Sequence, residues 1–264
     1  MARATVLVTG MSGLIGGAVR KRLAGKYELR ALNRRPVDGV ASWRADIADL
    51  DAIQPAFAGV DVVVHLAAIA QGGAGWDDVL RHNVIGTYNV FEASRRAGVR
   101  RIVYASSGAT VSGWEREAPY AALVAGRYDE AGAWVRLTHE SPTRPSALYG
   151  CSKVWGEALA RHYADAHGLS AICLRIGAVN AEDRPTTPRH FSVWCSQRDV
   201  AHLVERCVAA PERVRFDIFY AVSDNRWSYR DLEHARAVVG FEPEDRAEDY
   251  RGGSGRGPKA TGAR

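Results

Sequence analysis

The chain has 264 residues, 47% of them hydrophobic and 25% charged, which suits a water-soluble globular protein with one large core or one large and one small lobe. No run approaches the ~18 consecutive apolar residues of a membrane span, and the entry into a strand within five residues leaves no space for a signal peptide, so a cytoplasmic setting with no membrane partner is expected. The net charge of +5 does not argue for nucleic acid, because Arg251, Arg256, Lys259 and Arg264 in an acid-free tail supply four of those charges and leave +1 for the body. Cys151, Cys173, Cys195 and Cys207 form neither a CxxC pair nor a metal-ligand spacing, which predicts buried free thiols and no metal.

The stretch Thr5 to Leu23 opens with Val6, Leu7 and Val8, an apolar run of the length a buried strand uses. Gly10, Gly13 and Gly16 follow at intervals of three, then a helical pattern through Ala18, Val19 and Leu23. Strand, glycine turn and helix in that order suit a pyrophosphate, which glycine lets the backbone approach and which the free N–H groups of the helix N-terminus attract. A glycine trio alone also fits an ordinary turn; its place, directly after a strand and before a helix, favours a nucleotide. A second strand, Tyr27 to Leu32, ends at Asn33-Arg34-Arg35. An NAD site usually has an acid there for the ribose hydroxyls, whereas an arginine can take a 2′-phosphate in its fork, so NADP is favoured and NAD stays possible. Arg34 and Arg35 as plain solvated loop charges is the alternative. Asp46, after a short strand Ala41 to Arg44, suits either the adenine edge of a dinucleotide or the start of the helix from Asp49.

Val60 to His65 reads as a strong buried strand running into Leu66-Ala67-Ala68, small residues that let a ligand, or simply a neighbouring element, lie against the strand end. A helix over 77–97 carries Asn83, Gly86 and Asn89 on an otherwise apolar face, and Asn83 is expected to tie backbone together near the site. Strand Ile102 to Ala105 ends at Ser106-Ser107-Gly108. Strands alternating with helices predict a parallel, doubly wound α/β sheet with helices on both faces. Residues 113–145 break that rhythm and read as a lid, a substrate-facing insertion or a surface excursion. A long helix from Ala147 to Ala166, stopped by Gly168, carries Tyr149 and Lys153 four apart on one face. Strand Ala171 to Ile176 follows, then shorter pieces: a loop through Pro188-Arg189, a helix Asp199 to Ala209, a strand Phe216 to Val222 and a helix Tyr229 to Val239. The expected organisation is a dinucleotide-binding unit over 1–177 with the insertion 113–145, a small substrate lobe over 178–250 interleaved with it, and a disordered tail over 251–264.

A tyrosine at its ordinary pKa of ~10 is a weak base near neutrality. A lysine ammonium one turn away favours the phenolate, so Tyr149 is predicted to take a proton from a substrate hydroxyl, with Ser107 orienting the substrate oxygen. YxxxK alone says little. Behind a glycine turn and a strand ending in Ser-Ser it is specific.

TGMSGLIG, HLAA, HNVIGTYNV, YASSG and YGCSK, in that order, resemble the extended short-chain dehydrogenases/reductases, the NAD-dependent epimerase/dehydratase family, over about residues 4 to 245. RPSALYGCSKVWGEALARHYADAHG, LRIG, RHFSVWCSQRDV and GFEPED are most similar to the uronate dehydrogenases of that family, which oxidise a sugar acid at its anomeric carbon. The resemblance implies a Rossmann fold, a Ser107-Tyr149-Lys153 site, and a homodimer built through the helix bearing Tyr149, where Gly156 and Ala160 permit close packing. It implies cofactor contacts from Gly10, Ser12, Gly13, Leu14, Ile15, Gly16, Asn33, Arg34, Asp46, Ile47, Leu66, Ala67, Ala68, Asn83, Tyr149, Lys153 and Ile176. Substrate contacts are implied for Ala70, Ser107, Gly108, Ala109 and Arg189, the last gripping a carboxylate. The chain departs from the pattern at Gly108, where that group has asparagine, at Ala70 and Ala178, where it has polar residues, and at Asn33. The reading is therefore an NAD(P)-dependent oxidoreductase acting on a small sugar or sugar acid. A nucleotide-sugar epimerase or dehydratase is the alternative, although Gly108-Ala109 lacks the acid pair a dehydratase uses. A non-catalytic NADP-sensing protein is the third reading.

Overall fold

The computed structural model describes residues 3–70 and 75–251; the expected tail from 252 onward lies outside them. The chain runs β1 (Thr5–Thr9), α1 (Leu14–Leu23), β2 (Glu28–Asn33), β3 (Ala41–Arg44), α2 (Leu50–Ile53) and β4 (Val62–His65). Then come α3 (Trp76–Asp78), a π-helical stretch Val79–Ile85, α4 (Gly86–Arg96), β5 (Arg101–Ser107) and a 3₁₀ stretch Gly108–Arg116. After α5 (Tyr120–Val124) and α6 (Tyr128–Ala131) follow α7 (Leu148–His167), β6 (Ser170–Ile176), α8 (His190–Val193), α9 (Gln197–Val208), β7 (Phe216–Ala221) and α10 (Glu233–Val239).

All seven strands pair in parallel, in the order β3-β2-β1-β4-β5-β6-β7. Strands buried on both faces read as continuous apolar runs, and β1, β4 and β6 are buried at every residue. Val19 and Leu23 of α1 pack with Leu203 and Val204 of α9 on one side of the sheet; Phe91 of α4 and Tyr163 of α7 pack with Phe57 on the other. The chain winds outward from β1 through β2 to β3, then returns to start again at β4. The crevice between the carboxyl ends of β1 and β4 is where ligands bind in such sheets.

A third apolar cluster joins the insertion to the C-terminal region: Val111, Tyr120, Leu123 and Leu137 pack with Val193, Tyr220, Trp227 and Tyr229. A parallel bridge between Leu137 and Arg230 fastens the two segments. That bridge explains why the last helix begins at Glu233 rather than Tyr229: the residues before it are drawn into strand-like pairing, and the Asp231 carboxylate then accepts from the Glu233 and His234 N–H groups (both 3.1 Å). Three of the four cysteines are buried thiols; Cys151, on the outward face of α7, is exposed.

Candidate active site

The turn after β1 requires glycine. Gly10 has φ +72°, a left-handed backbone, and a Cβ there would stand 2.9 Å from the Ala67 nitrogen in the loop after β4. A Cβ on Gly16 would stand 2.5 Å from the Gly10 carbonyl oxygen. Helix α1 starts behind Gly13 with no side-chain cap and no acid in its first turn, so its N–H groups face the crevice unopposed.

Two adjoining cavities share Gly10, Gly13, Leu66 and Ala68. The smaller, of about 240 Å³, runs over Ser12, Asn33, Arg34, Asp46, Ile47 and Ala67. The larger, of about 860 Å³, runs over Leu14, Ile15, Gly16, Ala70, Ser107, Gly108, Ala109, Tyr149, Lys153, Ile176 and Arg189. Of the residues expected to contact cofactor or substrate, only Asn83 stands behind this surface. Its Oδ1 accepts from the Ile69 N–H (2.8 Å) and its Nδ2 donates to the Ile69 carbonyl (3.0 Å), which sets the loop after β4. Asn33 is buried with its Nδ2 unpartnered. A glycine cradle, an uncapped helix start and this orphaned amide fit a dinucleotide. Asp46 serves its own loop, accepting from the Ala48 N–H and from Arg81 (both 3.0 Å). Asp49 is the residue that caps α2, accepting from Ala52.

Ser107 ends β5, and its hydroxyl accepts from the Ala109 N–H at 3.1 Å. At the start of α7 the Tyr149 ring lies 5.6 Å from the ammonium of Lys153, one turn on, which donates to the Ala105 carbonyl at 2.8 Å. Burial draws that ammonium down to about 8. Burial also moves the Tyr149 phenol upward, opposed by the Ser107 hydroxyl. The sequence predicts a phenol lowered by Lys153 and by the positive nicotinamide of a bound cofactor; in the protein alone desolvation outweighs the Ser107 hydrogen bond, and Tyr149 rests protonated. His65, held between Thr9 (2.7 Å) and Thr87 (3.3 Å), is driven to about 3 by burial and then by Lys153, and stays neutral.

Beneath the site Arg175 of β6 grips Glu157 of α7 through two hydrogen bonds of 2.9 Å, and Ser106 of β5 donates to the same carboxylate at 2.6 Å. This buried ion pair ties the helix bearing Tyr149 to two strands. Gly156 and Ala160 serve the same contact. A Cβ on Gly156 would stand 2.2 Å from the Tyr104 hydroxyl, and Ala160 is fully buried, so the close packing they permit is helix on sheet and not helix on a second subunit.

The far wall of the larger cavity holds residues that the sequence did not single out. Glu115, in the insertion, accepts from Arg189 Nε (2.6 Å) and Nη2 (2.7 Å) and from the Tyr229 hydroxyl (2.5 Å). Burial raises its carboxyl, but the hydrogen bonds and charge of Arg189 more than offset this and hold it below the usual carboxylate value. Arg189 thus lies at the cleft with its fork closed on Glu115. Arg116 and Arg230 complete the wall. Neither has a motif; only their charge within an otherwise irregular stretch could have drawn attention.

A family model described as "NAD dependent epimerase/dehydratase family" matches residues 6–201. NAD-dependent glucose-6-phosphate dehydrogenase of Haloferax volcanii is 34% identical over 93% of this chain and 95% of its own length. L-arabinose 1-dehydrogenase (NAD(P)(+)) of the same organism is 32% identical over 92% and 97%. Among solved structures, a mutant uronate dehydrogenase of Agrobacterium tumefaciens complexed with NAD superposes with a TM-score of 0.78 at 33% identity, covering 95% of this chain and 88% of that one.

Proposed function

Because this chain belongs to the NAD dependent epimerase/dehydratase family, we propose that it oxidises the anomeric hydroxyl of an anionic sugar, a uronate or a sugar phosphate, to the lactone. The observation that carries this reading is one cleft in which Ser107, Tyr149 and Lys153 face Arg116, Arg189 and Arg230, with Glu115 the single opposing charge on that wall among the described residues. The dehydrogenase names of its relatives and their NAD support an NAD(P)-dependent oxidoreductase.

The glycine turn and the start of α1 would hold the pyrophosphate, Leu66 to Ala68 would flank it, Asn33 and Arg34 would meet the adenosine end, and Lys153 the nicotinamide ribose. A bound oxidised nicotinamide supplies the acceptor for the hydride that leaves the sugar carbon, together with a positive charge. Ser107 and Tyr149 bracket the sugar hydroxyl. With that positive charge and the Lys153 ammonium beside it, the Tyr149 phenol would first release its own proton to solvent; as the carbon–hydrogen bond breaks and a carbonyl forms, the hydroxyl proton then passes to the Tyr149 phenolate. Residues 113–145 with 178–250 supply the substrate-facing wall.

NADP is the preferred form on this reading: the residue ending β2 is an amide, and Arg34 and Arg35 beyond it are exposed and able to take a 2′-phosphate. The protein works in the cytoplasm as a homodimer, whose interface would cover Tyr88 and Leu148, 44% and 50% exposed on α4 and α7. The test is a panel of uronates, aldose phosphates and neutral aldoses followed at the nicotinamide absorbance with NAD and NADP separately. Turnover should be fastest for a charged sugar with NADP, and Arg34→Ala should lower the NADP preference about tenfold. Faster reaction with NAD ends the NADP assignment. Cofactor binding with no turnover on any sugar points to a sensor instead.

A further inference from the structure

The larger cavity contains a cation whose hydrogen-bonding groups have almost nothing to bind. Arg230 is 1% exposed, its Nε and Nη1 have no partner, and Nη2 reaches only the Tyr229 hydroxyl, at 3.5 Å. A guanidinium keeps its charge and all five donors at any physiological pH, and leaving them buried and unpaired is strongly unfavourable. The Tyr229 ring, 5.5 Å from the guanidinium carbon, offsets part of this. Glu115 is near, but its oxygens are already taken by Arg189 and the Tyr229 hydroxyl.

The chain nevertheless holds Arg230 in place. The Leu137 N–H donates to the Tyr229 carbonyl at 2.7 Å and the Asp231 N–H to the Leu137 carbonyl at 3.0 Å, so the backbone on both sides is fixed. Space for the guanidinium comes from Gly108: a Cβ there would stand 2.3 Å from its carbon and from both terminal nitrogens. Gly108 directly follows Ser107, so the unpaired fork stands one residue from the serine that meets the sugar. Any larger residue at 108 would expel it.

We propose that Arg230 is the anion subsite of this cleft: the end of its guanidinium, with Nη1 unpartnered and Nη2 held only by the long bond to Tyr229, receives the carboxylate or phosphate of the sugar, while Arg189, locked to Glu115, shapes the wall. This rests on the sugar-dehydrogenase reading but can fail separately from it. In wild type, Arg230→Gln and Arg230→Lys, binding of glucuronate and of glucose 6-phosphate is measured by titration calorimetry, and steady-state kinetics are run with both anions and with neutral glucose. Arg230→Gln should weaken whichever anion the wild type prefers about 100-fold, in Kd and in KM, a loss at least about tenfold greater than its effect on kcat/KM for glucose. Arg230→Lys, which keeps the charge and loses the planar fork, should weaken that anion about tenfold and serves if the glutamine variant does not fold. The preferred anion tells carboxylate from phosphate. Equal losses on charged and neutral sugars, anion binding kept within threefold, or a wild type that binds neither anion overturns the subsite. Anion binding lost in Arg230→Gln but no turnover of any sugar in the wild type upholds the subsite and sinks the dehydrogenase.

Discussion

At the cofactor end of the cleft the ligand meets main-chain atoms: the glycine turn, the N–H groups at the start of α1 and the loop after β4, with Gly10 and Ala67 too close for a side chain between them. At the substrate end it meets ionised side chains carried by three separated segments, with Glu115 bonded to Arg189 across 74 positions and to Tyr229 across 114. Backbone cradles tolerate almost no added atom but care little about charge. Side-chain walls behave in the opposite way: they can be reshaped readily, and each member depends on the others' charges.

Between the two ends stands the proton relay, where the largest effect is expected. Tyr149→Phe should lower kcat/KM about 1000-fold while cofactor affinity, read by fluorescence titration, stays within threefold. Retained turnover would mean the proton leaves by another route. Gly16→Ala tests the intolerance of the cradle. A methyl 2.5 Å from the Gly10 oxygen and 2.6 Å from Met11 must push the turn apart, with a loss of roughly 1–3 kcal/mol in stability and a cofactor Kd weakened about tenfold or more. Unchanged binding would show that the turn is not the phosphate site. The smallest effect is in pH. With Lys153 drawn down to about 8 by burial, the ammonium is charged below that value and lost above it. The rate of oxidation should therefore stop rising and fall toward a tenth of its value one unit higher, and Lys153→Arg should flatten that fall. A rate still climbing at pH 9.5 contradicts the assignment. His65, at about 3, contributes nothing across this range.

The same contrast decides what could be read in advance. The strands of the sheet, the glycine turn, Ser107 at a strand end and the Tyr149–Lys153 pair are local patterns, set by period or by spacing along a few residues. Strand limits moved by only a residue or two, as with β2 ending at Asn33 and β5 extending to Ser107. The Glu115–Arg189–Tyr229 cluster and the orphaned Arg230 have no such signature, because only tertiary folding brings them together. The direction of the Tyr149 shift was also hidden, since it depends on how deeply the phenol is desolvated. Gly156 was legible as a small residue on a helix but not as the one that faces Tyr104, because a small residue permits close approach without saying to what.

The pairing of Leu137 with Arg230 has a consequence for anyone re-targeting this scaffold. The two segments that form the wall exchange hydrogen bonds as neighbouring strands do, although one lies in the insertion and the other after β7. A graft of residues 113–145 from a relative, made without its counterpart to residues 226–231, would mismatch donors and acceptors along that seam. Loop exchange on this protein has to be done in matched pairs, and libraries that randomise one partner alone will mostly sample damaged backbones.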